Sequence, residues 1–329
     1  MEYRKLGKAG LKLSVFSFGS WVTFHKQIDS NLAYRMMSLA YDNGVNFFDN
    51  AEVYENGLSE KVMGSALKKL SWPRSSYCVS SKVFWGGEKP TQKGLSRKHV
   101  VDACHAALKR LNVDYLDLYF CHRPDIDTPI EETVRAMHDL IQQGKVLYWG
   151  TSQWRAQQIS EAYGIARELH LIPPTVEQPE YNMFCREKIE KEFLPLYDSV
   201  GLGTTIWSPL DNGVLTGKYN NGIPEDSRFS LSGYDWSEDG LYSDDWDPKI
   251  KKVIDLCNLS DEFELPVHHM ALLWCLKNKN VSSVIIGASK IDQLKDNLSS
   301  LENYRKMTVD LMDRIENILA NKPIPVEKF

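Results

Sequence analysis

The sequence has no run of about 18 uninterrupted apolar residues, the length a membrane-spanning helix needs, so direct insertion into a membrane is not expected. Its opening stretch, MEYRKLGKAGLKLS, lacks the apolar core of a secretory leader, and a cytoplasmic location is the expectation. Cysteine is sparse. Cys78, Cys104, Cys121, Cys185, Cys257 and Cys275 lie far apart and form no CxxC pair, which reads as reduced, mostly buried thiols. No charge of one sign dominates: 39 basic residues face 44 acidic ones, scattered along the chain, and nothing in that balance attracts nucleic acid. The glycine-rich fingerprint of an open dinucleotide-binding sheet is also missing. The nearest run, Gly201-Leu202-Gly203, has no third glycine and leads into a strand, so it reads as a turn. His268 and His269 are adjacent rather than one helical turn apart, and no metal site is expected from them.

What is present is alternation. Two short extended runs, Tyr3–Leu6 and Leu11–Leu13, flank the turn Gly7–Gly10 and predict an N-terminal hairpin over residues 1–14. Eight strand-like runs follow: Val15–Phe18, Val45–Phe48, Tyr77–Lys82, Tyr115–Phe120, Val146–Gly150, Thr175–Gln178, Thr204–Trp207 and Ser283–Ile286. Between them lie stretches of helical spacing: Asn31–Asn43, Ser59–Leu70, Ser96–Leu111, Ile130–Gln143, Gln157–Leu169, Glu187–Val200, Pro248–Phe263, His268–Lys277 and Ile291–Leu301. A last helix, Val309–Leu319, lies in a C-terminal segment, 303–329, that ends in a proline-rich tail. Eight βα units without a linker or composition shift predict one domain over 1–329, a closed (β/α)8 TIM barrel of α/β class. The one long irregular stretch, 208–246, follows the seventh strand and reads as a loop that covers a ligand.

In such a barrel the chemistry sits where the strands end. The second strand ends in Asp49, with Tyr54 five residues on; the third ends in Lys82, and the fourth runs into His122. A carboxylate can hold an ammonium, an ammonium lowers the pKa of a nearby phenol, and an imidazole can orient a substrate oxygen. Together they make a proton donor to a carbonyl, and a cofactor must bring the hydride. A glycosidase would instead want paired carboxylates, and Asp49 has no such partner at the strand ends. Trp21, Phe84, Trp85 and Trp207 all follow strand ends, where an apolar pocket would lie; Trp21, Tyr54, Trp85 and His122 are the candidates for its substrate wall, and His25 lies near it. Cys121, beside His122, reads as buried, with oxidant sensitivity as the sharper alternative. His99, His105, His138 and His170 fall on helices and read as surface or satisfied core residues.

The segments NFFDNAEVYENGLSE and IIGASKIDQLKDN, with Asp49, Tyr54, Lys82 and His122 in order, resemble the aldo-keto reductases over nearly the whole chain. FGSWVTF, SSKVFWGGEKPTQKGLSRKHV and IWSPLDNGVLTGKY are similar to the β-subunits of voltage-gated potassium channels, a subgroup of that superfamily. The resemblance implies NADPH-dependent reduction of aldehydes or ketones, with Tyr54 as general acid assisted by Asp49, Lys82 and His122. Its alternative is a redox-sensing, NADP(H)-binding channel subunit with little turnover. It also implies a homotetramer and a possible channel partner besides the small carbonyl substrate. Vertebrate members of the subgroup carry Asn where this chain has His122, which tilts the expectation toward a working reductase. For the cofactor it implies Trp207 against the nicotinamide, Ser152 and Gln178 at its carboxamide, and Trp21, Thr23 and Gln27 nearby with Asp49. Ser208, Pro209, Leu210 and Lys218 fall at the pyrophosphate, and Gly287, Ser289, Gln293, Asp296 and Asn297 at the adenosine end. Lys218, Arg228 and Lys290 are the candidates for a 2′-phosphate.

Overall fold

The computed structural model describes residues 1–225, 227–230 and 246–324. It divides into two compact units. One comprises Met1–Pro179, Glu192–Trp207 and Lys279–Leu298; the other comprises Glu180–Lys191, Ser208–Asn278 and the chain from Ser299 onward.

The first unit opens with an antiparallel hairpin, β1 (Tyr3–Lys5) and β2 (Lys12–Ser14). It then holds a closed barrel of eight parallel strands: β3 (Phe16–Gly19), β4 (Phe47–Asp49), β5 (Cys78–Val83), β6 (Leu116–Cys121), β7 (Val146–Thr151), β8 (Val176–Glu177), β9 (Gly203–Ile206) and β10 (Ser283–Ile286). β10 pairs with β3 and closes the ring. Helices follow the strands in chain order: α1 (Ser30–Asp42), α2 (Leu58–Leu70), α3 (Arg97–Leu111), α4 (Ile130–Gln142), α5 (Ala156–Glu168) and α6 (Leu194–Ser199), with α9 (Ile291–Ser299) after β10. The chain is therefore the (β/α)8 barrel with an N-terminal hairpin that the alternation predicts.

Local chemistry fixes the ends. Asp29 caps α1 by accepting from the Leu32 amide at 2.8 Å, and Ser96 caps α3 through the His99 amide. The predicted helix Glu187–Val200 is broken. A π-helical turn, Lys188–Glu192, gives way to the short α6, because Pro195 has no amide proton and is tolerated only in a first turn. The predicted Ile291–Leu301 helix stops at Ser299 and tightens into a 3-10 stretch, Ser300–Lys306. The glycines of Gly201-Leu202-Gly203 acquire a physical reason. A Cβ on Gly7 would lie 2.2 Å from the Gly201 carbonyl oxygen, and the Lys8 amide donates to that oxygen at 2.9 Å. The hairpin backbone thus packs directly on the start of β9.

The hairpin also closes the core at the strands' starting ends. Leu6 and Leu13 bury against Phe47, Cys78, Leu118, Phe120 and Val176. Burying a side chain of this size contributes about 1.5–3 kcal/mol each.

The second unit carries α7 (Trp246–Glu262), α8 (Val267–Lys277) and α10 (Val309–Leu319). Its polar centre is Arg186, whose guanidinium donates to Glu190 Oε2 at 2.7 Å and to Glu316 Oε2 at 2.8 Å. The Tyr181 and Trp274 rings stack beside it at 5.1 Å. The predicted covering loop 208–246 falls partly outside the described residues. Its described portion includes 3-10 turns at Asp211–Thr216 and Arg228–Ser230. No described helix is long and apolar enough to cross a membrane.

Candidate active site

Successive residues of a strand face opposite sides, so every second residue of each barrel strand points inward. Read along the inward register, the strands change character. Phe47 leads to Asp49; Cys78 leads through Ser80 to Lys82; Leu118 leads through Phe120 to His122; Val176 leads to Gln178. Apolar residues occupy the starting end and polar ones the finishing end, and the rim is where the polar ones meet. Lys82 Nζ donates to Asp49 Oδ2 at 2.5 Å, to the Asn50 carbonyl at 2.9 Å and to the Tyr54 hydroxyl at 3.1 Å. Ser80 Oγ donates to Asp49 Oδ1 at 2.7 Å, and Gln178 Nε2 donates to the same oxygen at 3.1 Å. The Lys82 side chain has no solvent exposure and Asp49 only 5%, so this ion pair is a buried one.

Tyr54 reaches the pair from a 3-10 turn after β4, in which Glu55 and Asn56 take left-handed backbone angles and Gly57 (φ 83°) opens α2. The His122 ring meets the Tyr54 ring edge-on at 5.8 Å. Trp21 lies 6.5 Å from the Tyr54 ring, and Trp85 lies 5.1 Å from the His122 ring. The other three candidate wall residues thus gather near the Tyr54 phenol, Trp21 and His122 directly and Trp85 through His122.

Burial sets the electrostatics. Desolvation pushes the Tyr54 phenol above its ordinary value of 10.0 and outweighs the opposing pull of Lys82. The expected lowering by the ammonium exists but does not win. Desolvation would push the Lys82 ammonium down, and Asp49 and Tyr54 more than offset it, so the net shift is upward. Burial, with the like charges of Lys82 and Arg123, holds His122 well below its ordinary 6.5 and keeps the imidazole neutral. Its Nδ1 is buried and has no hydrogen-bond partner.

The other candidates divide between the units. In the first, Ser152 Oγ donates to the Gln178 backbone carbonyl at 2.7 Å, which sets these two side by side. Trp207 is half-buried just past β9. Thr23 is buried and donates to the Ser20 carbonyl at 3.1 Å, whereas Gln27 and His25 are exposed. Gly287 is exposed, and a Cβ there would meet nothing within 4 Å. Gln293 Oε1 gathers the Ser289 amide at 3.1 Å and the Lys290 amide at 3.2 Å at the start of α9. Asn297 is buried; Asp296 and Lys290 are exposed. In the second unit, Ser208 and Leu210 are half-buried, Pro209 is buried, and Lys218 is exposed with its ammonium 4.9 Å from the Tyr219 ring. Arg228 starts a 3-10 turn; its side chain lies outside the described residues. Cys121 is fully buried, with its thiol pushed far above the usual range by desolvation. Burial of this kind disfavours the thiolate that an oxidant attacks.

Three contributors escaped the sequence reading. Ser80 and the Asn50 carbonyl complete the shell around Asp49 and Lys82, and Thr205 Oγ1 accepts from Gln178 Nε2 at 3.4 Å. Ser80 was findable: it lies two residues before Lys82, hence on the same face of β5.

The residues fit a nicotinamide dinucleotide. Gln178 Oε1 accepts no hydrogen bond from the described residues and is suited to a carboxamide NH2, and a half-buried indole follows β9. The aldo/keto reductase family profile matches residues 16–320, so the chain belongs to that family, one of oxidoreductases that bind such cofactors. Two similar proteins are each named probable voltage-gated potassium channel subunit beta. That of Arabidopsis thaliana is 51% identical and that of Oryza sativa subsp. japonica 49%, each over 330 residues that cover 100% of both chains.

Proposed function

We propose that this member of the aldo/keto reductase family reduces aldehydes or ketones to alcohols with NADPH, Tyr54 giving its proton to the carbonyl oxygen. The observation that carries this reading is the buried chain Asp49–Lys82–Tyr54, with links of 2.5 and 3.1 Å. When bound, the cofactor supplies the hydride that no side chain can.

The protein groups then have separate tasks. Tyr54 stays protonated at neutral pH because burial raises its pKa, which keeps it a donor. As its proton leaves, the Lys82 ammonium stabilises the phenolate, and Asp49 keeps that ammonium charged and in place. His122, neutral and with Nδ1 unpartnered, orients the substrate oxygen. Trp21 and Trp85 form the apolar wall. Trp207, Ser152 and Gln178, with Asp49, Trp21 and Gln27 nearby, would hold the nicotinamide end, and Gly287, Ser289, Gln293, Asp296 and Asn297 the adenosine. Ser208, Pro209, Leu210, Lys218 and Arg228 carry their candidacy from sequence position, as cations and loop residues suited to phosphates.

The test is titration of Tyr54→Phe with NADPH, followed by 4-nitrobenzaldehyde. Cofactor fluorescence should quench as in the wild type while oxidation of NADPH stops. Undiminished reduction by that variant would falsify the assignment. The names of the two plant relatives favour a second reading, a regulatory subunit of a potassium channel, with the NADP(H) binding, cytoplasmic location and tetramer that the sequence resemblance implies. It predicts tight cofactor binding by the wild type with negligible turnover, and co-purification with a membrane channel.

A further inference from the structure

Behind the rim sits a second buried ionisable pair that the proposed chemistry does not use. Glu52, in the turn between β4 and Tyr54, faces His99 of α3: Glu52 Oε1 lies 3.4 Å from His99 Nε2, and both side chains are 5% exposed. The other imidazole nitrogen, Nδ1, lies 2.8 Å from the Gly94 carbonyl oxygen. A ring with an acceptor at each nitrogen satisfies both only when both carry protons. This arrangement favours the protonated ring and raises the His99 pKa above its ordinary 6.5. Desolvation opposes that charge, and Glu52 together with the Gly94 and Lys93 carbonyls more than offsets it.

What this pair holds is a small hairpin, Phe84 to Gly94. The Gly94 amide donates to the Phe84 carbonyl at 2.9 Å, the Gly86 amide to the Gln92 carbonyl at 2.9 Å, and Trp85 bridges to Lys93. Glu52 Oε1 takes the Phe84 amide at 2.7 Å, and His99 takes the Gly94 carbonyl, so one partner grips each leg. Gly86 passes so close that a Cβ would lie 2.6 Å from His99 Nε2 and 2.8 Å from Glu52 Oε2. At the base of this hairpin, next to the gripped Phe84, stands Trp85, 37% exposed, with its ring against His122.

We propose that Glu52 and His99 are positioning residues, a clasp that sets where Trp85 stands over the pocket and thereby selects carbonyl substrates with a flat aromatic group over small aliphatic ones. This rests on the reading of Tyr54 and His122 as the reacting end. The clasp is held while His99 is protonated and loosens as pH rises through its elevated pKa. The charged groups that bear on it are Glu52 from the β4 turn, Asp102 one turn along α3, and Glu60 of α2, which acts on Glu52.

The experiment uses the full chain labelled with 5-fluorotryptophan, with the Trp85 fluorine resonance assigned by Trp85→Phe. Between about pH 5.5 and 9 that resonance should shift with one inflection above 6.5 in the wild type and stay flat in His99→Gln, which keeps a donor but cannot titrate. In parallel, His99→Ala and Glu52→Gln should raise KM for 4-nitrobenzaldehyde about 10-fold, with kcat and the KM for propanal within about twofold; His99→Gln should recover most of the loss. A Trp85 resonance that titrates identically in His99→Gln, or equal KM increases for both aldehydes, overturns the clasp. Absence of turnover in the wild type overturns the reductase reading alone, and the fluorine signal then decides the clasp by itself.

Discussion

The two ends of the barrel are built on the same strands and by the same alternation, yet they do opposite things. At the starting end, Leu6 and Leu13 of the hairpin close on Phe47, Cys78, Leu118, Phe120 and Val176, all buried. At the finishing end, two to four residues further along those strands, stand Asp49, Lys82, His122 and Gln178, equally buried but polar. At the first end the packed side chains of this cluster are apolar and need no partners. The second buries a carboxylate, an ammonium and an imidazole, and each must find a partner or lose its charge. Asp49 and Lys82 find each other, while His122 becomes neutral. The lesson is that burial by itself does not separate core from site; what separates them is whether the buried groups are spent or, like His122 Nδ1, left over.

Breaking each end separately sharpens the contrast. The largest effect is expected from Tyr54→Phe, which removes one oxygen: kcat should fall by about 10²–10⁴, with the thermal midpoint nearly unchanged. A fall in stability equal to that of a core variant would erase the distinction between the ends. Asp49→Ala leaves the Lys82 ammonium buried without its carboxylate and should destabilise by about 3–5 kcal/mol, with loss of turnover as well, in urea unfolding and steady-state kinetics. Leu118→Ala at the starting end should cost about 2–5 kcal/mol by the same unfolding measurement and yet leave kcat within about twofold. A loss of kcat as large as that of the rim variant would mean that the two ends are coupled.

The smallest effect concerns pH. His122 is held neutral in the fold, so the unfolded chain takes up a proton on it more readily. Stability from this residue is complete above 6.5 and is lost as pH falls toward the depressed folded value. His122→Gln should flatten the acid side of the midpoint-versus-pH curve relative to the wild type. His99 runs the other way: its raised pKa contributes stability below 6.5 that disappears as pH climbs through the folded value. Curves for His122→Gln and His99→Gln that fail to separate these two limbs would contradict the assignment of one lowered and one raised imidazole pKa.

Much of the rim was legible because strand ends are visible in sequence and the residues needed for proton donation are unusual there. Asp49, Tyr54, Lys82 and His122 were found that way. His99 was not: on a helix, it read as a surface or satisfied core residue, and its partner Glu52 sits 47 positions earlier. The Gly201-Leu202-Gly203 run, read as a turn, is instead the irregular lead into β9, whose first residue is Gly203; the cause of its glycines, the hairpin backbone pressed on it, lies almost two hundred residues away.

The sequence by itself determined the alternation of eight strands and their helices, the inward register that runs from apolar to polar, and the identity of the groups at the strand ends. These are local matters of period and propensity. Tertiary structure alone decided how far desolvation outweighs the Lys82 charge at Tyr54, which imidazole has its pKa raised and which lowered, and where Trp85 stands. Those depend on distances between residues far apart in the chain, and on how much water the closed barrel leaves around them.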